Sequence, residues 1–133
     1  MGRQGGCLCG QVRYEVLGEP LAVVICHCKN CQKQSGSTFS INFIGQSDQI
    51  NLQGNVATYV DQNDSGDPVN RKFCASCGSP IFSEILSQGN LIALKVGTLD
   101  DTSDMEPQTQ VWCVSKQNWL SLDTDMPTLM RNT

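Results

Sequence analysis

The sequence predicts a mainly β protein in which short strands pack as a sandwich or as strongly coiled sheets. First, short runs of alternating or continuous apolar residues recur along the chain, separated by turn residues such as glycine, proline and asparagine. Second, helical periodicity is scarce, and only residues 31–35 and 115–119 are candidates for helical turns. Residues 1–133 are expected to form a single domain, because no linker or repeat divides the chain.

The predicted strands follow one another in short steps along the chain. Val12, Tyr14 and Val16 alternate with polar residues, as in a half-buried strand. The other predicted strands are Leu21–Cys26, Phe39–Phe43, Ile50–Leu52, Ala57–Val60, Arg71–Cys74, Pro80–Leu86, Leu91–Val96 and Val111–Val114. Asp61–Asn70 is predicted to be a polar loop, because it is rich in polar residues and contains glycine and proline.

Composition and charge argue against several classes of function. The net charge is −4 and the pI about 4.7, the wrong sign for a protein that binds nucleic acid through its phosphates. The longest apolar run, Leu21–Cys26, is far shorter than a membrane-spanning helix. The first residues contain no apolar signal region. We therefore expect a cytoplasmic protein that binds neither nucleic acid nor membrane; its oligomeric state is not predicted.

Seven of the eight cysteines lie in three clusters of different size. These clusters are Cys7-x-Cys9, Cys26-x-Cys28-x-x-Cys31 and Cys74-x-x-Cys77. Cysteines one or two residues apart are poorly placed to form a disulfide with each other but well placed to bind one metal ion. Because a zinc ion closed by thiolates takes four sulfurs, the two pairs make one closed site. The triplet offers three, and three protein ligands with an open position are typical of catalytic zinc sites.

Two alternatives for the ligand sets remain open at this point. A zinc ribbon would pair Cys28-x-x-Cys31 with Cys74-x-x-Cys77, but 42 residues separate these knuckles, whereas about 15–20 are usual. Cys113, the eighth cysteine, lies in an apolar strand-like run and is expected to be a buried thiol. The alternative is that Cys113 is the fourth ligand of the triplet, which would close that site.

His27, the only histidine, lies between two cysteines of the triplet. Alternate side chains of an extended segment share a face, so His27 points away if both flanking cysteines bind the metal. We expect it to pack or hydrogen-bond behind the ligands. Three thiolates leave zinc with a net charge of about −1, which favours binding of a further thiol over activation of water. The candidate general bases for a hydrolase are Glu84, Asp100 and Asp101, but residues 97–101 are typical of a capped turn.

Three segments of the chain are similar to a known family. They are residues 5–14, 26–33 and 71–82, with Gly36 and Phe39 just after the second. Together they resemble the glutathione-dependent formaldehyde-activating enzyme family, which also includes centromere protein V. Later landmarks of the family match residues 97–101, Trp112, Trp119 and 125–127. The resemblance runs nearly from end to end of the chain.

The resemblance implies a β-tent fold of coiled antiparallel sheets that holds two zinc ions. The implied ligands are Cys7, Cys9, Cys74 and Cys77 for a structural zinc, and Cys26, Cys28 and Cys31 for a second zinc. Because the second site has one protein ligand fewer, we expect it to be only partly occupied. The family's named reaction joins glutathione and formaldehyde into S-hydroxymethylglutathione, a carbon–sulfur lyase reaction in reverse. Two positions depart from the family pattern: Gln110 stands where histidine is frequent, and Gln32 where arginine is usual.

The functional hypothesis is an enzyme that binds a small thiol at the triplet zinc and adds it to a small aldehyde. We expect Lys29, Lys33 and Arg71 to offset the carboxylates of the thiol, and Phe39 to form a wall of the pocket. The alternative is a zinc-stabilised binding module without catalysis, which the lack of a clear acid–base pair favours.

Overall fold

The computed structural model describes residues 2–63, 65–122 and 125–131. Among these residues there is one α-helix and the rest of the regular structure is mainly β, which confirms the predicted fold class. The strands are β1 (Gly2–Gly6), β2 (Arg13–Leu17), β3 (Ala22–Cys26), β4 (Ser40–Gln46), β5 (Ile50–Gln53), β6 (Val56–Gln62), β7 (Pro68–Cys74), β8 (Pro80–Ile85), β9 (Leu91–Lys95) and β10 (Thr109–Val111). Helix α1 spans Lys29–Ser35, and 3₁₀ turns span Ser47–Gln49, Leu86–Gln88, Val96–Thr98 and Cys113–Ser115.

The strands form two sheets. The smaller sheet has three strands in the order β1-β2-β5, and the larger has seven in the order β10-β3-β4-β9-β8-β7-β6. All neighbouring strands pair antiparallel except β10, which runs parallel to β3 and places Val111 opposite Cys26. Among the described residues, no helix is long and apolar enough to cross a membrane.

The main hydrophobic core joins the two sheets. Tyr14 and Val16 of the smaller sheet pack in one cluster with Phe43, Ile92 and Leu94 of the larger sheet. Successive residues of a strand point to opposite faces. The residues that alternate with this core on β4 and β9 therefore lie on the opposite face of the larger sheet, where the candidate site is found.

The prediction of a polar loop over Asp61–Asn70 is wrong. Strand β6 continues to Gln62 and β7 begins at Pro68, and the two form a hairpin in which Asp61 pairs with Val69. Only residues 63–67 connect the strands, and the Asn63 side chain accepts hydrogen bonds from two backbone N–H groups of this turn. The polar side chains here belong to strand residues, which composition alone does not distinguish from a loop.

The strand predicted over Val111–Val114 ends earlier than expected. Trp112 has a φ of 58°, in the left-handed region, so the extended conformation stops after Val111. Cys113 consequently begins a 3₁₀ turn, and its backbone N–H donates to the carbonyl of Leu129. Cys113 is half-buried rather than fully buried.

Candidate metal centres and an adjoining cavity

Four cysteines from two distant turns come together between the sheets. Cys7 and Cys9 follow strand β1, whereas Cys74 ends β7 and Cys77 lies in the next turn. Their four sulfurs lie within 4.8 Å of one another, with 3.6 Å between Cys7 and Cys9 and 3.8 Å between Cys9 and Cys74. A tetrahedron with Zn–S distances near 2.3 Å has sulfur–sulfur edges of about 3.8 Å. This four-sulfur cluster therefore fits a closed metal site.

Hydrogen-bond donors surround the sulfurs of the four-sulfur cluster. The backbone N–H of Val12 donates to the Cys7 sulfur at 3.2 Å, and the side-chain amide of Gln11 donates to Cys74 at 3.3 Å. The hydroxyl and backbone N–H of Ser79 hold the pKa of Cys77 at about 5. Such donors stabilise thiolates. The local structure thus favours the ionised form of Cys77, and metal binding requires the ionised form of cysteine.

The triplet cysteines lie where β3 leads into helix α1. Cys26 is the last residue of the strand, Cys28 caps the helix, and Cys31 lies in its first turn. The cap is the Cys28 sulfur itself, which accepts a hydrogen bond of 3.2 Å from the backbone N–H of Cys31. The three sulfurs lie within 4.8 Å of one another, and Cys113 does not join this group. Sulfur is a soft ligand suited to zinc, so this three-sulfur cluster also fits a metal site.

The protonation of the three-sulfur cluster is uneven. The pKa of Cys31 lies well below its usual value, because Cys26 and Cys28 donate hydrogen bonds to its sulfur and the cations of Lys95 and Arg71 lie nearby. Hydrogen bonds to Cys28 and to Cys31, together with burial, raise the pKa of Cys26. A negative charge at this cluster is therefore centred on the sulfur of Cys31.

His27 lies behind the three-sulfur cluster rather than in it. It is fully buried, and its Nε2 lies 2.8 Å from the side-chain oxygen of Gln110, so that this nitrogen donates. The ring of Phe39 packs against it at 6.0 Å between centroids. Gln110, one of the two departures from the family pattern, thus orients the histidine that separates two cysteines.

Gln32, the other departure, connects helix α1 to the segment after β10. Its side-chain nitrogen donates to the backbone carbonyls of His27 and Ser115, at 2.8 and 3.1 Å. Its side-chain oxygen accepts from the amide of Gln117 at 2.8 Å. These three bonds fix the loop that carries the three-sulfur cluster against residues 115–117.

A cavity of about 270 Å³ opens beside the three-sulfur cluster. All three cysteines line it, together with apolar side chains that include Val24, Ile44, Ile85, Leu91 and Trp112. Its polar lining includes Asn42, Arg71, Ser83 and Lys95, whose side chains are all nearly inaccessible to solvent. None of the candidate general bases lines this cavity: Glu84 pairs with Lys72, Asp100 with Arg13, and Asp101 caps Ser103. The lining of the cavity is suited to a thiol more than to a hydrolytic water.

Arg71 connects the cavity to a second, more open groove. Its Nη1 lies 3.9 Å from the Cys31 sulfur, and its Nε pairs with the Asp61 carboxylate at 3.1 Å. Burial opposes the charge of Arg71, but the nearby sulfur and carboxylate raise its pKa. The groove, of about 390 Å³, is lined by Arg71 with Lys33 and Tyr59, among others.

The structure separates the residues expected to contact the thiol. Arg71 lies at the three-sulfur cluster and Lys33 in the groove, whereas Lys29 is exposed and lines neither cavity nor groove. Phe39 lies beside His27 and is also absent from both walls. Sequence reasoning missed Lys95, which is only 7 % exposed and lines the cavity. The only sequence feature that could have pointed to Lys95 is its position as a single charged residue within the apolar strand Leu91–Val96.

Comparison with known proteins identifies the family. The profile of the family described as glutathione-dependent formaldehyde-activating enzyme matches residues 2–115. The chain belongs to this family. A relative from Halomonas elongata, named "Putative glutathione-dependent formaldehyde-activating enzyme", is 24% identical over 127 residues, which cover 91% of this chain and 81% of the relative.

A solved structure supports the fold of this family member. The crystal structure of a Rhodobacter sphaeroides protein superposes with a TM-score of 0.60 at 22% identity, and the match covers 76% of this chain and 91% of that chain. At this identity the likeness concerns the fold alone. The solved structure thus agrees with the overall fold described above.

Proposed function

We propose that this protein binds a small thiol, glutathione or a relative of it, at a zinc ion held by Cys26, Cys28 and Cys31, and adds it to a small aldehyde such as formaldehyde. The observation that carries this proposal is that a cluster with three sulfurs, not four, lines a cavity. The four-sulfur cluster of Cys7, Cys9, Cys74 and Cys77 is proposed to hold a structural zinc ion. The family match supports the choice of thiol and aldehyde.

When bound at the three-sulfur cluster, zinc supplies a positive centre that stabilises the thiolate of a substrate. The protein's own residues contribute binding and exclusion of water. Arg71 and Lys33 offer positive charge to the carboxylates of the thiol, one at the cluster and one in the groove. Trp112 and the other apolar walls keep water from the reacting atoms.

The reaction needs no oxidant and no other cofactor. The sulfur of the thiol attacks the carbonyl carbon, a carbon–sulfur bond forms, and the carbonyl π bond opens. The proton lost by the thiol is recovered on the new hydroxyl oxygen, so the product is a hemithioacetal. The contribution of the protein is proximity and an ionised sulfur at neutral pH.

The test is the exchange between glutathione and its hydroxymethyl adduct at equilibrium, measured by nuclear magnetic resonance. Wild-type protein should accelerate the exchange, and the Cys28→Ala variant should leave the uncatalysed rate. Cys113→Ala is the matched control, because Cys113 lies outside both clusters, and it should retain the wild-type rate.

One observation favours a second candidate, a binding module without catalysis. Among the described residues, no carboxylate and no histidine lines the cavity, so its wall lacks the commonest general acids and bases and offers only Lys95 for such a role. This candidate predicts that the protein leaves the exchange rate unchanged. An unchanged exchange rate, together with calorimetry that shows no binding of a thiol, would reject the enzyme in favour of the module.

A further inference from the structure

Five buried polar side chains share the face of the larger sheet that is opposite the core. They are Ser40, Asn42, Arg71, Ser83 and Lys95. The strand register makes them neighbours: Asn42 lies opposite Lys95, and Arg71 lies opposite Ser83. Four of the five line the cavity beside the three-sulfur cluster, and Ser40 adjoins it as a partner of Lys95. A row of buried polar groups across a sheet is costly unless each group has a partner.

Two members of this row, Lys95 and Asn42, are only partly satisfied by residues 2–63, 65–122 and 125–131. Lys95 forms no ion pair there, and its Nζ donates only to the hydroxyl oxygen of Ser40, at 3.3 Å. The side-chain oxygen of Asn42, a residue that is 4 % exposed, is buried without any hydrogen-bond partner. Arg71 differs, because Asp61 already pairs with it. The cavity therefore presents a cation and a hydrogen-bond acceptor side by side, both available to a ligand.

Their spacing from the three-sulfur cluster suits a short peptide. Cys26 lies opposite Ser40 on the neighbouring strand, and directly opposite side chains have Cβ atoms about 5 Å apart. Since Ser40 contacts Lys95, the lysine lies about one side chain beyond the cluster. The sulfur of a cysteinyl residue and the carboxylate of the residue after it are separated by about 7 Å when extended. The cavity volume, near 270 Å³, is at the small end for ligand sites and suits part of a tripeptide.

We propose that Lys95 and Asn42 form a subsite for the C-terminal residue of a cysteinyl peptide thiol. Lys95 binds its carboxylate, and the side-chain oxygen of Asn42 accepts from its amide N–H. This inference rests on the proposed function, since it assumes that the sulfur of the thiol lies at the three-sulfur cluster. It assigns the interior of the cavity to the end of the peptide after the cysteine and leaves the groove near Lys33 for the part before it.

The experiment compares glutathione with its analogue in which the glycine carboxylate is a carboxamide. Both keep the thiol and have nearly the same shape, so only the charge at the proposed subsite differs. Calorimetry on the zinc-loaded wild-type protein should show glutathione binding about ten- to hundred-fold more tightly, as expected for a charge-assisted hydrogen bond. In Lys95→Met, which conserves volume, the two affinities should become equal. In the control Lys33→Met, on the groove, the preference should remain.

The alternative role of Lys95 is to balance the charge of the cysteines. In that case Lys95→Met would weaken the binding of both ligands equally, or it would lower the zinc content, which a colorimetric chelator measures. In either case the preference for the carboxylate would persist. Asn42→Asp provides a second test that does not remove the lysine. The new carboxylate at position 42 would form an ion pair with Lys95 inside the cavity. Glutathione should therefore bind more weakly, while the affinity for the carboxamide should not change.

The outcomes separate this inference from the proposed function. Equal binding of glutathione and the carboxamide to wild-type protein would overturn the subsite and leave the thiol site intact. A preference that survives both Lys95→Met and Asn42→Asp would do the same. Failure of wild-type protein to bind either ligand would overturn the proposed function and the subsite with it.

Discussion

The two cysteine clusters use one residue type for two different purposes. In the four-sulfur cluster, each pair belongs to a tight turn, and the turns come from different sheets. In the three-sulfur cluster, all ligands come from one short segment that runs from the end of β3 to the first turn of α1, and the remaining side faces a cavity with buried cations. The first arrangement joins distant parts of the chain, whereas the second leaves one metal-coordination position open for a ligand from outside the chain. The comparison shows that the number of sulfurs and what faces them separate a structural site from a candidate reactive one.

The largest expected effect concerns stability. Cys77→Ser should lower the melting temperature by more than about 10 °C or prevent folding, because binding of a structural zinc is coupled to folding. Cys28→Ala should lower it much less, because the three-sulfur cluster closes a loop of only a few residues. Thermal unfolding followed by circular dichroism, together with zinc content, measures both. Equal losses in the two variants would remove the distinction between the clusters.

A smaller effect is expected at Gln32, which fixes the loop of the three-sulfur cluster. Gln32→Ala leaves two backbone carbonyls without their donor and should cost about 1–3 kcal/mol. It should also make the metal of this cluster easier to remove with a mild chelator, and leave the other metal unaffected. Gln34→Ala is the matched control on the same helix, because the Gln34 side-chain oxygen has no hydrogen-bond partner among the described residues. Equal behaviour of the two variants would show that Gln32 does not support the cluster.

The smallest effect is expected at Asp100, which pairs with Arg13 at the surface without contacting a sulfur. Arg13 lowers the pKa of Asp100 below its usual 3.8, so the folded state favours the carboxylate. The stabilisation is therefore present above about pH 4 and is lost as the pH falls through the lowered pKa. Asp100→Asn should shift the melting temperature only slightly at pH 6, as is usual for exposed ion pairs, and not at all at low pH. A large shift in melting temperature would mean that the ion pair of Asp100 with Arg13, and not metal binding, makes the main contribution to stability near the four-sulfur cluster.

The sequence was sufficient for features that are local. Alternation around Tyr14 and the spacing of the cysteines identified strands and clusters, because both depend on residues a few positions apart. The hairpin around Asp61 and the end of the strand before Trp112 were predicted wrongly, since they depend on strand pairing and on a left-handed backbone.

The polar row of the cavity could not be predicted for a related reason. Asn42 and Lys95 alternate with core residues, and in a sequence such residues are expected to face solvent. Their burial depends on what covers the second face of the sheet, which involves segments far apart in the chain. Lys29 shows the opposite case: it is next to Cys28 in sequence, but it does not line the cavity.

The most direct test of the difference between the clusters is X-ray absorption at the zinc edge, on protein carrying two zinc ions. Without added thiol, four sulfurs at one site and three at the other should average about 3.5 per zinc. Glutathione in which selenium replaces sulfur should then add a zinc–selenium contact in wild-type protein and none in Cys28→Ala. An average of four sulfurs before any thiol is added, or no zinc–selenium contact afterwards, would contradict the account.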